Sequence, residues 1–151
     1  MTPAPPPPPT PRPDRVLETG VYVDDLDAAR RFYQDLLGLT LISQEPGRHL
    51  FFRCGPNLFL VFNPDESAHD SPGPEGGGTI PGHGTRGPGH MAFAISPQTV
   101  PTWLDRLEHH GVPVESRVIK PDGRGESIYF RDPAGNSIEL ATPSIWNIDP
   151  A

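Results

Sequence analysis

ETGVYVDDLDAARRFYQDLL, residues 18 to 37, and HMAFAISPQTVPTWLDRLEH, residues 90 to 109, fall on one another at a constant offset of 90 − 18 = 72. Each opens on a run of strand-like periodicity, passes through polar residues, and then places apolar side chains at helical spacing. In the first copy Leu26, Ala29, Phe32, Tyr33, Leu36 and Leu37 form the helical stripe, with Asp24 or Asp25 as cap and Gly38 as stop. In the second, Val100, Trp103, Leu104 and Leu107 do so and Gly111 ends it, while Pro101 sets the start of the regular helix near Val100.

Three further strands follow each copy. LTLISQE, HLFFRC and NLFLVF are separated by Pro-Gly and Gly-Pro turns, and VPVESRVI, ESIYFRD and NSIELA repeat the order. FRCGPNLFLV matches FRDPAGNSIEL with a one-residue gap, which pairs Phe52 with Phe130, Asn57 with Asn136 and Leu60 with Glu139. An internal repeat of strand, helix and three strands predicts an α+β chain of two βαβββ modules. Module one spans 15–63 and module two 89–143, and together they form a single domain, 15–143. Residues 144–151 are left as a C-terminal tail.

The rest of the composition bounds the function. Pro (22) and Gly (16) dilute an otherwise globular chain of 151 residues. Eight of the thirteen residues in MTPAPPPPPTPRP are proline, so residues 1–14 read as a disordered, polyproline-like tail. The segment has no apolar core of a secretory signal, and no run approaches the roughly 20 apolar residues that span a bilayer; a cytoplasmic protein is expected. One cysteine, Cys54, cannot form an internal disulfide and reads as a small packing residue. A formal charge of −7 without a basic cluster argues against nucleic acid and anionic membranes as partners, leaving small molecules. The Gly/Pro-rich loop, 64–88, is long enough to be a lid or a connector between modules.

Side chains alternate across a strand, so Glu18, Gly20 and Tyr22 share the face opposite the apolar residues that pack the helix. By the same parity His90, Ala92 and Ala94, and Ser137, Glu139 and Ala141, face the concave side of module two. Three ionisable residues, Glu18, His90 and Glu139, are thus expected to converge on one surface. A buried carboxylate costs several kcal/mol unless it is paired or bound to a cation. Two carboxylates with no Arg or Lys on the same strand faces make a divalent ion the economical partner. The plain alternative is a solvated rim glutamate and a satisfied core histidine.

ETGVYVDDLDAARRFYQDLLGL, GPGHMAFAI and SIYFRDPAGNSIELA resemble the vicinal oxygen chelate superfamily, which includes glyoxalase I, extradiol dioxygenases, fosfomycin-resistance enzymes and bleomycin-resistance proteins. The resemblance implies that the paired modules form a half-open mixed β-barrel around a divalent metal. It puts one ligand position on the first and one on the last strand of each module: Glu18, Leu60, His90 and Glu139 here. His90 and Glu139 match common ligands of the family, Glu18 stands where His or Gln is usual, and Leu60 cannot ligate.

The expected ligand set is therefore Glu18, His90 and Glu139, suited to Fe, Mn, Ni, Co or Zn, with room left for a chelating substrate. Parity lines the neighbouring wall with Tyr22, Phe51, Leu58, Leu60, Phe62, Ser127 and Tyr129, an apolar and aromatic surface for a small oxygenated, partly hydrophobic or aromatic substrate. His83 in the loop is the candidate general acid or base beside Glu139, and Tyr129 a second candidate as a hydrogen-bond donor. His49, His69, His109 and His110 read as surface residues, and Arg53 and Arg131 as structural ion-pair partners. The resemblance implies a homodimeric metalloenzyme, with dioxygenase chemistry placed ahead of glyoxalase-type isomerase or lyase chemistry. The reading from another class is a metal-free, bleomycin-resistance-like protein that binds a drug or other ligand.

Overall fold

In the computed structural model, which describes residues 11–148, β1 (Glu18–Tyr22) alternates as its sequence requires, with Val21 buried and Glu18 exposed. Asp25 closes the turn after it, its Oδ1 accepting from Ala28 N at 2.9 Å and capping α1 (Leu26–Arg30). The helix then widens into a π-helical stretch, Arg31–Leu36, where Leu37 N–H bonds back to Phe32 O at 3.1 Å. One regular helix was the expectation; the wider turn accompanies burial of two adjacent pairs, Phe32 with Tyr33 and Leu36 with Leu37. Gly38, at φ 72°, lets the chain leave in a conformation other residues disfavour.

Strands β2 (Thr40–Glu45), β3 (His49–Cys54) and β4 (Asn57–Phe62) complete the first sheet in the order β1-β4-β3-β2, with β1 parallel to β4. The loop that follows carries local structure of its own. Asn63 caps a single turn, α2 (Pro64–Ser67), and β5 (Ser71–Pro72) pairs with β6 (Thr79–Ile80). Ser67 is fully buried; its hydroxyl donates to His83 O at 2.7 Å and its carbonyl accepts from His83 N at 2.7 Å, so the returning end of the loop is clipped to its first turn by both backbone groups of one residue.

Module two repeats the plan with β7 (His90–Ala94), α3 (Val100–His109), β8 (Ser116–Ile119), β9 (Glu126–Arg131) and β10 (Ser137–Ala141) in the order β7-β10-β9-β8. Strand β8 begins only at Ser116, after Pro113, which has no N–H for a ladder. A short 3-10 turn, Pro143–Trp146, follows β10, and Lys120 Nζ donates to Asn147 Oδ1 at 2.7 Å. Most of the N-terminal tail, residues 1–10, and the last three residues lie outside the described chain.

Register confirms the repeat at single-residue level. Glu18 pairs with Leu58 and Gly20 with Leu60, just as His90 pairs with Ser137 and Ala92 with Glu139. The two sheets share no strand pairing among the described residues, which leaves the barrel half-open. Their helix-facing sides meet in one core that includes Val21, Phe32, Tyr33, Phe52 and Phe59 of module one and Phe93, Leu107, Ile128, Phe130 and Ile138 of module two. Arg106 fastens the helices together by donating to Leu36 O at 2.6 Å and Asp35 O at 2.5 Å, the carbonyls left open where the first helix ends. Among the described residues no helix is long and apolar enough to cross a membrane.

Candidate functional site

Strands β7 and β10 run side by side on module two, and this brings His90 and Glu139 together: Nε2 lies 3.2 Å from Oε2. Glu139 is almost enclosed, with 9% of its side chain exposed, whereas His90 is 53% exposed and opens the pair to the concave side. The other ring nitrogen, Nδ1, sits 3.0 Å from Ser137 O. A carbonyl can only accept, so the Nδ1 proton is committed there and the neutral ring turns its Nε2 lone pair toward the carboxylate. Two electron-rich atoms facing each other need a positive charge between them.

A second proton on the ring meets that need, and so does a metal ion. The donor set fits the ion: two ligands held side by side with bonds of about 2.1 Å stand about 3 Å apart, and a histidine whose distal N–H is tied to a backbone carbonyl is oriented as metal-ligating histidines are. Tyr129, beside Glu139 in the β9–β10 register, is held above the usual tyrosine range by burial and by the Glu139 charge, so its hydroxyl keeps its proton next to that carboxylate. The Tyr129 and His90 rings are nearly parallel, with centroids 6.3 Å apart. Ser127 is buried on the same strand.

Glu18 is exposed on β1 beside Leu58. Among the described residues no three His, Cys, Asp or Glu side chains are gathered closely enough to hold a metal ion, so Glu18 does not join His90 and Glu139 within one chain. Leu60 is buried beside Gly20, in the place that Glu139 occupies in module two.

The concave face of module one is aromatic. Tyr22, Phe51 and Phe62 cluster there, with Phe51 and Phe62 centroids 5.6 Å apart and Tyr22 and Phe62 6.0 Å apart. His83 docks on this cluster: Nδ1 is 2.7 Å from the Tyr22 hydroxyl and the ring meets Phe62 edge-on at 4.5 Å. His49, expected at the surface, is instead half-buried and stacked on Phe51 at 3.9 Å. His49 is the first residue of β3, and strand parity turns its ring inward. Burial lowers the pKa of His49 against the opposing pull of Glu45, so its ring favours the neutral form. Burial raises the Cys54 thiol, in keeping with a packing residue. Arg131 pairs with Glu115 at 2.6 Å, while Arg53 is exposed on the concave face.

Asn136 and Asp132 were not singled out from the sequence beyond the pairing of Asn136 with Asn57. Both are buried in the turn before β10, and together they connect the start of β7 to the end of β1. The repeated Asn was the available signal.

The family model described as Glyoxalase/Bleomycin resistance protein/Dioxygenase superfamily matches residues 14–140. The chain is 31% identical over 124 residues to the glutathione transferase FosA of Serratia marcescens, covering 82% of this chain and 77% of that protein. A shorter match, 38% identical over 58 residues, joins it to the metallothiol transferase FosB of Bacillus licheniformis and spans only 38% of either protein. A lactoylglutathione lyase from Agrobacterium tumefaciens has a similar structure, with a TM-score of 0.80 and 39% identity over 90% of this chain and 98% of that one.

Proposed function

Since the chain belongs to the glyoxalase/bleomycin resistance protein/dioxygenase superfamily, we propose that it is a divalent-metal-dependent enzyme acting on a small oxygenated substrate, with His90 and Glu139 as two of the ligands. The observation that carries this reading is the His90–Glu139 pair, in which Nδ1 is tied to Ser137 O and Nε2 faces the carboxylate at 3.2 Å. Glu18 is the third ligand, supplied by a second copy of the chain, because it lies on the other module's concave face and does not meet the pair within one chain. The functional unit is then a homodimer in which the aromatic face of one copy covers the metal centre of the other.

A bound divalent ion supplies Lewis acidity toward two neighbouring substrate oxygens. The chain's own groups supply the rest. Tyr22, Phe51 and Phe62 bind and desolvate the apolar part of the substrate, with Leu60 as the floor. Tyr129 donates toward Glu139 and holds the carboxylate in place, and the buried Ser127 fixes the adjacent wall. His83 accepts or returns a proton through its ring, oriented by the Tyr22 hydroxyl and by the two hydrogen bonds to Ser67.

Relatives above 30% identity favour lyase or transferase chemistry on a thiol-derived substrate over dioxygenase chemistry. Elemental analysis of protein purified without added metal tests the proposal. Stoichiometric Fe, Mn, Ni, Co or Zn that disappears in Glu139→Gln supports it. Protein that is metal-free, resists reconstitution and still binds aromatic ligands would overturn it in favour of a ligand-binding role.

A further inference from the structure

We propose that Asn136 is a positioning residue that sets the place of His90 relative to Glu139 and ties both to the Tyr22 wall of the other module. The inference rests on the metal-centre reading above. The Asn136 carboxamide uses all its polar atoms in the cleft between the modules. Its Oδ1 accepts from Gly89 N at 2.7 Å, while Nδ2 donates to Tyr22 O at 3.1 Å and to Asp132 Oδ2 at 2.9 Å.

The first of these bonds bears on the residue immediately before His90. Gly89 O in turn accepts from Ser137 N at 2.9 Å, and Ser137 O receives His90 Nδ1, so the backbone start of β7 and the ring of its histidine are both registered against β10. The second bond joins this assembly to the end of β1, whose Tyr22 hydroxyl meets His83. Asp132 completes the arrangement, holding the Asn136 backbone N–H at 2.8 Å through Oδ1.

The molecule contains its own comparison. Asn57, the counterpart in module one, has a buried Oδ1 without a hydrogen-bond partner, and it opens β4, the strand where Leu60 stands at the ligand position. The side-chain carbonyl is bonded to the residue before the first strand in the module that holds the His–Glu pair, and is unbonded in the module that has Leu60 at the glutamate's place.

Mn(II) titration of the full chain, followed by the EPR signal of free ion, reads the effect. Asn136→Ala is expected to weaken Mn(II) binding by roughly tenfold or more, the scale on which partners of metal ligands act. Thr142→Val is the control. It removes the buried Thr142 Oγ1 acceptor of Glu126 N at 3.0 Å, lowers Tm, and is expected to leave the affinity unchanged. Gly89→Ala approaches the same contact from the other side, because a Cβ there would lie 3.3 Å from Asn136 Oδ1; a several-fold loss with little change in Tm is expected, and this variant decides the matter if Asn136→Ala does not fold. Wild-type affinity in folded Asn136→Ala or in Gly89→Ala would overturn the positioning role alone, whereas wild-type protein that binds no Mn(II) would remove the metal reading and this inference together.

Discussion

The Tyr33 hydroxyl donates to Asp132 Oδ2 at 2.6 Å, across the boundary between the first helix and the last hairpin of the domain. Tyr33 is fully buried among Phe32, Phe52 and Phe59, and burial together with the Asp132 charge raises its pKa far above the ordinary tyrosine value. It therefore serves as a donor at every pH the fold survives. Tyr33→Phe keeps the ring and removes one donor, leaving Asp132 with Ala134 N and two groups of Asn136. The expected cost is about 1.5–3 kcal/mol, the range for a hydrogen bond to a charged group, read as a lower urea midpoint with an unchanged slope.

Gly20 holds a different kind of constraint. A Cβ built there would lie 2.2 Å from the carbonyl oxygen of Leu60, on the neighbouring parallel strand. Backbone oxygen cannot move aside as a side chain tip can. Gly20→Ala should separate β1 from β4 and cost on the order of 3 kcal/mol, at the upper end of overpacking penalties. Gly47→Ala is a useful contrast, since its Cβ would meet nothing within 4 Å and only its φ of 78° is strained. Thermal denaturation of the two variants should rank Gly20→Ala well below Gly47→Ala.

The architecture was legible because the chain states it twice, with matched spacing from Glu18 to Leu37 and from His90 to His109. Strand parity also told which side of β7 and β10 His90 and Glu139 occupy, since period two survives any packing of the modules. Parity does not say which sheet faces which, and so it could not show that Glu18 stays apart from that pair within one chain. The π-helical stretch was hidden for a related reason, as apolar spacing reports a buried face and not which carbonyl each N–H selects. His49 reads as a surface residue in sequence because its stacking partner, Phe51, two residues along the same strand face, shows only in three dimensions.

His49 gives the fold a pH dependence of known sign. Burial lowers its folded-state pKa below the ordinary value of about 6.5, so the unfolded chain binds a proton more readily than the folded one. The contribution is complete above the unfolded value and is lost as pH falls through it toward the folded one. Urea midpoints should drop between pH 7.5 and pH 5.5, and the drop should be smaller in His49→Gln. Equal drops in the two proteins would place the titration elsewhere.

The proposed completion of the metal centre by a second copy predicts an outcome that no single-chain site shares. Glu18→Ala and Glu139→Gln each damage both sites of their own homodimer, the first through the donated carboxylate and the second through the His90 pair. In a mixed dimer the two defects fall on the same site. The other site then receives Glu18 from the Glu139→Gln chain and His90 with Glu139 from the Glu18→Ala chain. Random pairing at equal mixing leaves half the dimers mixed, so roughly one Mn(II) site per four chains should return. Chains that carry the site internally would recover none, since each would keep its own lesion. Co-refolding the two variants and counting tightly bound Mn(II) separates these outcomes, and size-exclusion chromatography of the wild type at the same concentration must show a dimer for the shared site to stand.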